Sequence, residues 1–77
     1  MDFAPYIHIL EGRIRVKILS MRRSPRIASA IEQALRPLPG VTQVQTNTVT
    51  GSVLVLFDSD VTSAKAILEK LKPFAAI

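Results

Sequence analysis

The sequence predicts a two-layer α/β sandwich in which two helices cover one face of an antiparallel sheet and leave the other face open. Three observations predict it. Ile14, Val16 and Ile18 alternate with Arg13, Arg15 and Lys17, the period-2 signature of a strand with one wet face. Ser24-Pro25 opens a stretch in which Ile27, Ile31, Leu35 and Leu38 recur every three or four residues, the stripe of an amphipathic helix. Residues 52–58, SVLVLFD, are apolar on both parities, as a central strand is, and a second amphipathic stretch follows them.

The first element is residues 6–19, YIHILEGRIRVKIL, which reads as extended. Ile7 and Ile9 fall on the opposite parity to Ile14, Val16 and Ile18. A one-residue slip near Glu11-Gly12 reconciles the two halves, and a glycine inside a strand is where a bulge sits. With that slip, His8 joins the face of Arg13, Arg15 and Lys17; without it, His8 points with Ile14. The first helix starts with Ser24 at the N-cap and Pro25 at the first helical position, where its missing N–H costs nothing. Ala30 and Ala34 lie near its stripe, and Pro37, Pro39 and Gly40 end it. Residues 41–47, VTQVQTN, form a polar strand expected at an edge, followed by a turn over 48–51. In the next strand Val53, Val55 and Phe57 face one way, and Leu54 and Leu56 the other. Asp58, Ser59 and Asp60 are N-cap candidates for a second helix over about 61–72. Its stripe is Val61, Ala64, Ile67 with Leu68, and Leu71, and Pro73 is expected to stop it. FAAI, 74–77, is left for a very short last strand.

The order β-α-β-β-α-(β) is the split βαβ arrangement, a ferredoxin-like βαββαβ sandwich with its fourth strand short or missing. At 77 residues the chain is one domain, 1–77, with a modest core. In this order the last strand pairs beside the first. If residues 74–77 do not pair, residues 6–18 have an open edge, and open edges recruit strands from a second copy or from a partner.

The chain is 48% hydrophobic and 21% charged, the balance of a globular protein. It has no cysteine, so disulfides and thiolate metal centres are excluded, and a cytoplasmic location is expected. The net charge of +4 favours anionic partners. No apolar run approaches the roughly 18 residues of a membrane span. The N-terminal residues lack the basic segment and apolar core of a signal peptide.

Several stretches together carry a family resemblance. They are GRIRVKI (12–18), the helix IASAIEQAL (27–35), LPGVTQVQTNTVTGSVLVLFD (38–58) and the closing amphipathic helix. They resemble a heavy-metal-associated domain, the fold of copper chaperones and of P-type ATPase N-terminal domains. The likeness is to the cysteine-less branch of that family, in which a His-x-x-x-Gly-Arg-x-Arg start and a Pro-Gly-Val…Asn-x-x-Thr-Gly-Ser-Val-Leu-Val middle recur. Here those positions are His8, Gly12, Arg13 and Arg15, then Pro39, Gly40 and Val41, then Asn47 and Thr50 to Val55. The likeness spans about residues 8–72. Metal-carrying members have Met-x-Cys-x-x-Cys at the first strand–helix junction. In this chain Met21 is followed there by Arg22, Arg23, Ser24, Pro25 and Arg26. Copper(I) selection needs thiolates or several thioethers, so the family's metal relay does not carry over to this chain.

Three candidate sites follow. Arg22, Arg23 and Arg26 flank the start of the first helix, where backbone N–H groups and the helix dipole favour an anion; a solvated loop is the plainer alternative. Arg13, Arg15 and Lys17 line the open sheet face, with Leu54 or Leu56 beside them, an arginine-rimmed apolar patch suited to a protein partner with an acidic surface. RNA binding by that face needs aromatic platforms, and only Phe57 and Tyr6 are near; charge without stacking weighs against nucleic acid. His8, the one histidine, is a candidate ligand for haem iron or a divalent metal, alone or across a homodimer axis, with Tyr6, Glu11 or Met21 assisting. The acids Glu11, Glu32, Asp58, Asp60 and Glu69 are scattered, and no glycine loop cradles phosphate, so a catalytic role is not expected. The resulting expectation is a non-enzymatic binding module for a protein partner, linked by the resemblance to metal homeostasis or cation transport.

Overall fold

The computed structural model describes residues 7–75. Its elements are strands β1 (Ile7–Leu10) and β2 (Arg13–Lys17), a short 3-10 turn (Leu19–Met21), helix α1 (Pro25–Leu35), strands β3 (Val41–Asn47) and β4 (Ser52–Phe57), and helix α2 (Ala64–Ala75). The four strands form one antiparallel sheet in the order β1-β2-β4-β3. Two helices on an antiparallel four-stranded sheet make the ferredoxin-like sandwich that the sequence predicts.

The fourth strand, however, comes from the other end of the chain. Residues 6–19 are not one bulged strand. The chain folds back at Glu11-Gly12, and Leu10 pairs with Arg13 across a two-residue loop. Gly12 takes the positive φ of 73° that the tight turn needs. A hairpin that pairs Ile7 with Val16 and Ile9 with Ile14 joins odd to even positions, so the apolar parity must reverse at the turn. A bulge and a hairpin produce the same reversal in the sequence. The structure selects the hairpin, because it gives β2 a backbone partner on the side away from β4. The stretch 6–18, expected to leave one open edge, instead folds on itself: β1 covers the side of β2 away from β4, and among the described residues the sheet's edges are β1 and β3.

The last helix also differs from expectation. Asp58 does not cap it. The Asp58 backbone oxygen accepts the N–H groups of Val61 and Thr62, closing a separate turn. Val61 is left 57% exposed instead of leading the stripe. Ser63 caps α2, its Oγ accepting the N–H of Ala66. The helix then runs through Pro73, which the sequence marks as its stop. Proline is tolerated there because Phe74 packs against the core and Ser20 Oγ donates to the Phe74 carbonyl at 2.7 Å. Residues 74 and 75 are thus helical rather than extended, and 76–77 of the expected last strand lie outside the described residues.

The core lies between the helices and one sheet face. Ile14, Val16 and Ile18 meet Val53 and Val55 from β4, Ile31 and Leu35 from α1, and Ile67 and Leu71 from α2. The helix α1 has Ser24 at its N-cap, accepting the N–H of Ile27 at 3.3 Å, as the Ser-Pro signal predicts.

Candidate partner-binding face

The face turned away from the helices is built by the strand register. Directly paired residues of an antiparallel sheet share a face. One row therefore runs His8, Arg15, Leu54, Gln45, and the next Leu10, Arg13, Leu56, Gln43. A third row joins Lys17, Ser52 and Asn47. His8 thus stands on the basic face, as expected from a parity reversal at Glu11-Gly12. Arg13, Arg15 and Lys17 follow one another at alternate positions of β2, about 7 Å apart along the strand.

A shallow trough of about 570 Å³ lies over this face and extends past β3 to Thr46 and Glu32, which belong to the helix side. Arg13 and Arg15 line it from β2, Gln45 and Asn47 from β3, and Leu54 and Ser52 from β4 between them. It combines guanidinium donors, carboxamides that donate and accept, a hydroxyl and an aliphatic floor. Its one lining carboxylate, Glu32, is already engaged: it accepts from Thr46 Oγ1 at 2.6 Å and pairs with Arg36 at 2.9 Å. Among the described residues no carboxylate pairs with Arg13, Arg15 or Lys17; the ion pairs are Glu32–Arg36 and Glu69–Lys72. Gln45, Asn47 and Ser52 were not singled out from the sequence as site residues. Their polar parity in β3 and β4 is the signal that places them on this face.

The face presents no aromatic ring among the described residues. Phe57 pairs with Val41 on the helix side and is 8% exposed. The stacking platform considered for RNA is therefore turned into the core, and Tyr6 lies outside the described residues.

The second arginine cluster is only partly joined to the first. Arg23 adopts a φ of 57° and donates its backbone N–H to the Thr48 carbonyl at 2.8 Å, tying the loop before α1 to the β3–β4 turn. Gly51 in that turn leaves room for Arg22, since a Cβ there would lie 2.9 Å from Arg22 Cγ. Gly51 precedes Ser52, the partner of Lys17, so Arg22 stands at the Lys17 end of the basic strand. Arg26 is exposed in the first turn of α1, in the helix layer.

Met21 is fully buried in the core, so its thioether has no surface on which to meet an ion. His8 is exposed opposite Arg15, and no group of three or more His, Asp or Glu residues among those described could hold a metal ion. The cationic neighbours of His8 work against a divalent cation there. No helix among the described residues is long and apolar enough to cross a membrane.

A family model described as heavy metal associated domain 2 matches residues 6–71. No curated protein and no solved structure matches the chain.

Proposed function

The chain belongs to the heavy metal associated domain 2 family, and from that premise we propose that it is a non-enzymatic binding module for an acidic protein partner in the cytoplasm, serving metal homeostasis or cation transport. The family places it in a metal-related context. The absence of cysteine and the burial of Met21 support a role in contact rather than in soft-metal carriage. One observation carries the reading: Arg13, Arg15 and Lys17 stand on one open sheet face with no carboxylate partner among the described residues.

An acidic surface docking there gains bidentate arginine contacts over an aliphatic floor formed by Leu54 and Leu56. Arg22 extends the positive strip at the Lys17 end. Arg23 and Arg26 contribute at longer range, because neither is on the sheet face. The absence of an aromatic platform on this face among the described residues supports a protein partner over a nucleic acid.

The test is the affinity of the protein for fluorescein-labelled octaglutamate, measured by anisotropy. Reversing both charges in Arg13→Glu/Arg15→Glu is expected to weaken binding about a hundredfold, since two attractions of about 0.7 kcal/mol each become repulsions of similar size. Binding by the wild-type chain should also fall steeply with added salt. Affinity unchanged in the double variant would overturn the reading.

A further inference from the structure

The outer edge of β1 has a chemistry that the basic face alone does not explain. Ile18 donates its N–H to the Gly51 carbonyl, and Phe57 donates to the Gly12 carbonyl. The even-numbered residues of β2 therefore aim their main chain at β4, and the odd-numbered ones, Arg13 and Arg15, aim theirs at β1. Their register partners Leu10 and His8 are committed inward. That leaves Ile7 and Ile9 with N–H and C=O groups directed to the outside of the sheet, where β1 is the terminal strand among the described residues.

The edge strand is short, at four residues, but it lacks the other usual defences. The strand Ile-His-Ile-Leu carries no lysine, proline or bulge, and its Ile9 and Leu10 are 52% and 60% exposed. Its two faces differ. Ile7 and Ile9 lie on the helix side, and His8 lies on the open side beside Arg15.

We propose that β1 receives an added antiparallel strand from a protein partner whose side chains alternate aliphatic and acidic. The partner's main chain pairs with Ile7 and Ile9. Its aliphatic residues cover Ile7 and Ile9 on the helix side. Its acidic residues lie on the open side next to His8, within reach of the long Arg15 and Arg13 side chains one strand further in. Charge decides between this occupant and a second copy. Pairing β1 with its own copy would join two sheet faces that each carry Arg13, Arg15 and Lys17, whereas an acidic strand neutralises them. The inference rests on the acidic-partner reading above and adds to it a place, a register and a sequence pattern.

The experiment uses the full chain and an end-blocked eight-residue peptide alternating glutamate and valine, with octaglutamate as the charge-only control. Amide hydrogen exchange is followed residue by residue by NMR. The alternating peptide is expected to bind about tenfold more tightly than octaglutamate and to slow exchange at Ile7 and Ile9 by about tenfold or more, a protection that octaglutamate does not give. Binding of the alternating peptide without protection at Ile7 and Ile9 would overturn strand addition while leaving the acidic-partner reading intact. Failure of both peptides to bind would overturn both. Protection of Ile7 and Ile9 in the peptide-free protein, with a doubled mass in sedimentation, would assign the edge to a second copy and overturn the proposal.

Discussion

Neutralising Arg15 separates a partner-facing side chain from a structural one. Arg15 is exposed on β2, with Arg13 and Lys17 two positions away on either side and on the same face. At about 7 Å each neighbouring cation repels it by about 0.6 kcal/mol in water. Screening at physiological salt lowers each to about 0.25 kcal/mol, or about 0.5 kcal/mol in all. Arg15→Gln keeps two methylenes to lie along Leu54 and removes this repulsion, so the fold should gain about 0.5 kcal/mol. The gain should shrink to about 0.1 kcal/mol in 1 M salt. Binding of an acidic peptide should meanwhile weaken roughly threefold, the loss of one exposed ion pair of about 0.7 kcal/mol. Urea melts at two salt concentrations and an anisotropy titration read both effects. A loss of stability greater than about 1 kcal/mol, or unchanged affinity, would show that Arg15 holds the fold together and does not await a partner.

Three further outcomes test the frame beneath that face. Met21→Ala should destabilise by about 2–5 kcal/mol and Met21→Leu by less than about 1.5 kcal/mol in urea melts, because a fully buried thioether acts through its volume; near-equal effects would count against a packing role. Gly51→Ala should lose about 1–3 kcal/mol, since φ is 77° and the added Cβ meets the Ile18 carbonyl oxygen at 2.9 Å, an atom of the backbone that cannot swing aside. Thermal melting of that variant at an unchanged midpoint would contradict the turn geometry. Ser24→Ala should cost about 1 kcal/mol and Ser24→Asp little, as expected of an N-cap accepting the Ile27 N–H; amide exchange at Ile27 reports the cap directly.

The sequence alone determined the elements whose signals are local. Alternation over 13–18, the Ser24-Pro25 start with its helical stripe, the polar edge strand 41–47 and the doubly apolar strand read over 52–58 all appear in the structure, the first strand ending at Lys17 and the last at Phe57. So does the basic face, because a side chain's parity along a strand fixes which layer it joins. Two matters needed tertiary structure. A parity reversal at Glu11-Gly12 fits a bulge or a hairpin equally well, and only the vacant position beside β2 makes the hairpin the better-paired solution. Pro73 reads as a helix stop, yet Phe74 packed against the core and the Ser20 hydroxyl on its carbonyl hold residues 73–75 helical. In both cases the deciding interaction joins residues remote from the local pattern: β1 closes an edge that residues 74–77 were expected to fill, and Ser20 reaches a helix end more than fifty residues away. Local propensity sets the menu of elements, and long-range hydrogen bonding and burial choose among entries that local rules leave equal.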